Sequence, residues 1–358
     1  MNHSALFEPL QLGALTLPNR ILMAPLTRAR ADEGHIPNGM MAKHYSDRAS
    51  SGLLIAEATM AMKENCAFVS EPGIYNDDQV AGWKNVTDAV HEKGGRIFLQ
   101  IWHGGRACHS LLNGGRQPVG PSPIAITNNE VHTPEGKKPY EVPRELDDAE
   151  LPEIIEGFGK AARNAKSAGF DGIEIHGANG YLLDSFLRDS ANQRSGPYGG
   201  SFENRSRLLL EVINAVTTVW QSNQVGVRIS PLNSFNSMRD SDPIKLYSYL
   251  AEQLNERKLA YLHLMRSDFL GEQEADIVTP IRRIYGGTLI TNMGYSADEA
   301  ANEIAAGNVD AVAFGTPYLA NPDLPERFAK GAELNEPNPD TFYSPGPEGY
   351  NDYPKLGD

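Results

Sequence analysis

His176, Asn179 and Tyr181 fall within six consecutive positions of the run Gly172-Ile173-Glu174-Ile175-His176-Gly177-Ala178-Asn179-Gly180-Tyr181. An imidazole and a carboxamide can donate hydrogen bonds to one oxygen, and a phenol beside them can supply a proton. Ile173 and Ile175 alternate with Gly172, Glu174 and His176, which is the period of a strand. Gly177 and Gly180 interrupt that period, and Tyr181–Leu187 resumes at helical spacing. The three polar groups therefore stand at the carboxyl end of a strand, where α/β barrels and open α/β sheets carry their chemistry. A strand-to-helix turn with mere capping residues has the same local pattern, so the remainder of the chain must decide.

Strand-like runs recur at 20–24, 53–58, 96–102, 172–176, 225–230, 261–265, 288–291 and 311–314. Helical patterns lie between them at 85–93, 149–168, 203–220, 243–257 and 297–306. Strands separated by helices predict a parallel sheet, and eight of them predict an α/β fold of the (β/α)8 TIM-barrel type. An open doubly wound sheet is the alternative, but no Gly-x-Gly-x-x-Gly follows the first strand. Residues 111–143 are rich in Gly, Pro and Asn and read as a long excursion after the third strand. With no low-complexity linker, residues 1–358 are expected to form a single domain.

Period-2 alternation places Gln100, Trp102, Glu174, His176 and Arg228 on the inner face of such a barrel. An arginine there is costly unless an acceptor meets it. Two readings stay open at this point: a pair with Glu174, or an electron-rich ligand at the strand ends. Ala24-Pro25-Leu26-Thr27 closes the first strand with a hydroxyl, and Ala58 ends the second with a side chain small enough for a planar ring to approach. Asn292-Met293-Gly294 after the seventh strand and Gly315-Thr316 after the eighth match the phosphate cup of a barrel.

Bulk properties exclude several classes. With 32 Lys+Arg against 46 Asp+Glu the net charge is -14, which repels nucleic acid and anionic lipid. Two cysteines, Cys66 and Cys108, cannot make a four-thiolate cluster, and His103 and His109 lack a third ligand, so no metal is expected. No apolar run of membrane-spanning length occurs, and the expectation is a cytoplasmic protein acting on a small molecule as a monomer or homodimer.

The motifs together resemble the Old Yellow Enzyme family of FMN-dependent ene-reductases over nearly the whole length. Pro18-Asn19-Arg20 through Arg28, Gln100–Arg106, His176–Tyr181, Asn192-Gln193-Arg194, Tyr198–Arg205, Ala320–Leu324 and the tail Thr341-Phe342-Tyr343 with Glu348–Pro354 all carry the resemblance. It implies FMN as cofactor, NADPH or NADH as hydride donor, and reduction of α,β-unsaturated carbonyl compounds, with nitro compounds or nitrate esters as further oxidants. By position, Ala24, Pro25, Leu26 and Ala58 would pack on the flavin, and Thr27 would bond its O4. Gln100 would read the pyrimidine edge, and Arg228 would sit by N1 and O2. Met293, Gly294, Gly315 and Thr316 would hold the phosphate. His176 and Asn179 would hold the substrate oxygen, Tyr181 would protonate the α-carbon, and Phe68, Trp102 and Tyr343 would frame the substrate. Two departures stand out: Phe68 where many relatives carry Tyr, and Thr316 where they usually carry Arg or Lys. Asn192–Arg194 and Tyr198–Arg205 read as structural, with Ser201 as a helix N-cap. Two other classes remain open, a non-flavin barrel acting on a phosphorylated substrate and a flavin-storing protein. The first, as an aldolase, would need a strand-borne lysine, and the strand runs contain none.

Overall fold

The computed structural model describes residues 3–358. Eight strands, β1 (Ile21–Met23), β2 (Leu54–Met60), β3 (Ile97–Trp102), β4 (Gly172–Gly177), β5 (Val225–Ile229), β6 (Tyr261–Met265), β7 (Leu289–Asn292) and β8 (Ala311–Phe314), form a closed barrel. Each pairs in parallel with its sequence neighbour, and β8 closes on β1. The expected strands agree with these to within two residues at each end, because in a parallel barrel both faces are buried and apolar runs mark the strands themselves.

Alternation sorts the side chains as anticipated. Ile97, Leu99, Ile101, Ile173, Ile175, Val225, Val227 and Ile229 pack outward in the main core with the helices. Phe98, Tyr261, Ile290, Ala311 and Ala313 fill the interior, with the rings of Phe98 and Tyr261 stacked at 5.9 Å. Glycine is required opposite them: a Cβ on Gly172 would lie 2.3 Å from the Phe98 ring, and one on Gly226 2.2 Å from the Tyr261 ring. An antiparallel hairpin not anticipated from the sequence, Leu10–Leu12 with Leu15–Leu17, packs its leucines under this interior and stops the barrel at its amino-terminal end.

The outer helices include Asp77–Glu92, Leu151–Ser167, Phe202–Thr217, Pro243–Glu256 and Ala297–Ala305. Ser201 caps Phe202–Thr217 by accepting from the Asn204 N–H, and Ser296 caps Ala297–Ala305 in the same way. Helices at Gly39–Ser46 and Val278–Ile284 complete βα units whose helical patterns were too short to stand out. The excursion after β3 is longer than residues 111–143. It is tied at its ends by a parallel pairing of Val119–Gly120 with Arg144–Glu145, and carries a hairpin, Glu130–Thr133 with Gly136–Pro139. The chain ends in a tail drawn back to the barrel mouth. Arg30 donates to the carbonyls of Phe342 and Thr341, and Arg28 to those of Phe342 and Gly349.

Candidate active site at the carboxyl end of the barrel

The floor of the barrel mouth is a polar layer. Gln100 on β3 lies in register with Glu174 on β4, His176 with Arg228 on β5, and Arg228 with His263 on β6. Gln100 Nε2 donates to Glu174 Oε1 at 2.7 Å, and His263 Nδ1 donates to Glu174 Oε2 at 2.9 Å. Glu174 is thus committed on both oxygens, and the pairing of Arg228 with Glu174 does not form. Among the described residues the Arg228 side chain makes no hydrogen bond or ion pair, and its buried Nε has no partner. Burial pulls its pKa below the usual arginine value, opposed by the attraction of Glu174.

His176 stands above this layer, packed by Trp102 at 5.9 Å and Tyr181 at 5.3 Å between ring centroids. Burial, with repulsion from Arg228 and His263, holds its pKa well below the ordinary histidine value, so the imidazole is neutral. Its Nδ1 and the Trp102 Nε1 are buried without partners. Asn179 adopts a left-handed backbone (φ 60°), its N–H donates to Ser230 Oγ, and its Oδ1 accepts from Asn233 Nδ2 at 2.8 Å. That last bond fixes the amide sense and leaves Nδ2 for a ligand. The Tyr181 ring meets Trp102 edge-on at 4.3 Å. Burial, with Tyr140 and Tyr343 nearby, raises its pKa well above the usual phenol value. The site therefore offers two neutral donors and one firmly protonated phenol.

Ala58 reaches the mouth by a device that alternation could not reveal. A register shift between Ala56 and Thr59 re-phases β2, so Glu57 turns away to Tyr45 and Ala58 packs with Trp102 and Tyr181. Phe68 stacks between Trp102 at 6.0 Å and Tyr343 at 5.8 Å, which brings the tail over the mouth. Ile126 and Tyr140 from the excursion and Phe235 after β5 join this cluster. The sequence reading missed them, since loop aromatics carry no periodicity. Ala24 and Pro25 are buried at the end of β1, while Leu26 and Thr27 are half-exposed. At the opposite rim, Met293 (φ 92°) and Gly294 (φ 69°) turn the loop after β7. Gly315 caps a short helix, Thr316–Ala320, whose Thr316 is exposed. Arg266, directly after β6, donates to the Met293 carbonyl at 2.8 Å and pairs with Glu299. It too escaped the sequence reading, being one arginine among many.

Comparison with known proteins decides between the classes left open. A model described as the NADH:flavin oxidoreductase / NADH oxidase family matches residues 5–335. The chain belongs to the Old Yellow Enzyme family. It is 50% identical over 357 residues to a probable flavin mononucleotide-dependent alkene reductase of Leishmania infantum, covering 98% of this chain and 97% of that one. The old yellow enzyme structure from Trypanosoma cruzi superposes with a TM-score of 0.96 at 45% identity, covering 98% and 99% of the two chains. Morphinone reductase in complex with tetrahydroNAD gives 0.94 at 44% identity, covering 99% and 98%. This Old Yellow Enzyme family member is accordingly a flavin oxidoreductase with FMN as cofactor and a nicotinamide as hydride donor. Arg205, within its matching motifs, is structural: it ties the Leu187 carbonyl to Asp240. Among the described residues no helix is long and apolar enough to cross a membrane.

Proposed function

We propose that residues 1–358 form one FMN-binding domain that uses NADPH or NADH to reduce the activated C=C bond of α,β-unsaturated carbonyl compounds, and that nitro compounds or nitrate esters serve as further oxidants. The observation that carries this reading is Arg228, a buried guanidinium without an acceptor in the protein, beside donors with unused capacity at His176 and Asn179. A fixed cation of this kind suits a ring system that gains negative charge on reduction.

The residues fit FMN. Gln100 and Arg228 would meet the pyrimidine edge, with Thr27 at O4 and with Ala24, Pro25, Leu26 and Ala58 along the ring. Met293, Gly294, Gly315 and Thr316 would take the phosphate. A Cβ on Gly294 would meet only Arg266 Nη2, at 4.0 Å, so backbone donors there are open to an anion. Bound in this place, FMN supplies a two-electron hydride relay between a nicotinamide and an electron-poor alkene.

The protein does the rest. His176, neutral, and Asn179, oriented by Asn233, hold the substrate oxygen and stabilise charge developing on it. Tyr181 delivers its proton to the α-carbon. Phe68, Trp102 and Tyr343 orient the substrate and exclude water. The test is anaerobic titration with NADPH and separately NADH, followed by 2-cyclohexenone, with flavin absorption as the readout. The reading requires bleaching by a nicotinamide and recovery with the enone. Bleaching without recovery would refute the alkene-reductase assignment.

A further inference from the structure

The polar layer holds two groups that the chemistry above does not use, Glu174 and His263. Both side chains are wholly buried, and nothing on the inner face justifies a carboxylate as packing. Their geometry has a definite consequence. The 2.7 Å bond to Glu174 uses one hydrogen of the Gln100 amide and thereby turns its oxygen away, as an acceptor facing a ligand N–H. The bond from His263, at 2.9 Å, keeps the second carboxylate oxygen from swinging onto Arg228. Arg228 consequently feels the charge of Glu174 through space without being neutralised by contact.

We propose that Glu174, held by His263, is a positioning residue that sets how much of the Arg228 positive charge reaches the flavin, and so tunes the flavin reduction potential. The proposal rests on the reading that Arg228 and Gln100 lie at the flavin pyrimidine edge. Reduction adds negative charge at that edge, so the reduced form gains whatever positive field the layer leaves uncompensated. Two substitutions move this field in opposite directions. Glu174→Gln keeps the shape and an acceptor but removes the compensating charge. His263→Leu frees a carboxylate oxygen to close on Arg228 and compensates it further.

The experiment is the midpoint potential of the holoenzyme, measured by spectroscopic titration against a reference dye under anaerobic conditions. The equilibrium for two-electron reduction is expected to shift at least tenfold toward reduced flavin in Glu174→Gln, about 30 mV for a two-electron couple. It is expected to shift toward oxidised flavin in His263→Leu. A merely structural role would weaken FMN retention in both without this opposition of sign. Potentials that move together, or do not move while FMN stays bound, overturn the proposal. Should Glu174→Gln fail to fold, His263→Leu decides alone, by a potential that falls or does not. Arg228→Met separates the two readings: FMN retained with unchanged potential would mean that Arg228 is not at the flavin, so the site reading itself would fail.

Discussion

Tyr181→Phe removes one oxygen and keeps the ring that Trp102 and His176 pack against at 4.3 and 5.3 Å. The hydroxyl lost is in hydrogen-bonding reach of the Asn236 side chain, so its removal is expected to cost the fold about 1 kcal/mol. The chemical cost is another matter. If Tyr181 gives the α-proton, its removal forfeits general-acid catalysis, which contributes about 10²–10⁴-fold. The loss belongs to the oxidative half-reaction alone, because reduction by a nicotinamide calls for no proton at the α-carbon. Burial keeps the phenol pKa well above 10.0, so the wild-type rate of enone reduction is expected to stay flat from neutral pH up to the approach to that value. The assay is anaerobic stopped-flow on the two half-reactions separately. Nitro-activated alkenes, which accept hydride without needing immediate protonation, are expected to lose less than cyclohexenone. Equal losses in both half-reactions would mean that Tyr181 holds the flavin or the fold. Undiminished enone reduction would mean that the proton comes from elsewhere.

Other outcomes follow from the same geometry. Phenols are expected to bind oxidised holoenzyme with a long-wavelength charge-transfer band, tighter as pH approaches the phenol pKa, and His176→Ala/Asn179→Ala together should abolish the band while FMN remains; a band of unchanged affinity would refute their pairing on one oxygen. Thr316→Arg is expected to tighten FMN binding by about 1–2 kcal/mol, the increment for a charged over a neutral hydrogen bond, read as slower FMN release by fluorescence on dilution. No gain would point to Arg266, beside Gly294, as the group already facing the phosphate. Arg30→Met strips donors from the carbonyls of Thr341 and Phe342, and is expected to destabilise the protein by about 3 kcal/mol in urea and to raise KM for enones through the loosened Tyr343. Unchanged stability would show that Arg28 with the His44 and Asn351 contacts suffices to hold the tail.

The eight strands were legible because closure of a parallel barrel buries both faces of each strand and writes an apolar run into every one of them. The inward placement of Gln100, Glu174, His176 and Arg228 followed from strict alternation on β3, β4 and β5. Where the backbone departs from that period, alternation by itself misleads, and Ala58 was legible only from its small side chain at the strand end. Alternation alone puts Glu57, next inward after Ile55, into the mouth, and only the β2 bulge exchanges it for Ala58. Between the two readings left open for Arg228 the sequence could not choose for a related reason: His263, which takes the second oxygen of Glu174, lies two strands away and no spacing links it to Glu174. Tyr140, Ile126 and Phe235 were illegible because their positions depend on how loops fold back, which no residue spacing encodes.

Several residues other than glycine adopt left-handed backbone on this same rim. Asn179 (φ 60°) follows β4, Asn236 (φ 59°) follows β5 and Met293 (φ 92°) follows β7. Such conformations cost about 1–3 kcal/mol each and persist only where neighbours over-determine them. Here the neighbours are specific. The Asn179 carbonyl accepts from Asn236 Nδ2 at 2.9 Å, the Asn236 carbonyl from Arg106 at 2.7 Å, and the Met293 carbonyl from Arg266 at 2.8 Å. Gly180 has to be glycine for the first of these contacts, since a Cβ there would stand 2.7 Å from the Asn236 Cβ. Each strained peptide is therefore held by a side chain from a different loop, so the loops after β3, β4, β5, β6 and β7 set one another's geometry. The placement of His176, Asn179 and Tyr181 arises from this cross-bracing as much as from the strand beneath, because the short turn that carries them is gripped by side chains from loops distant in the chain.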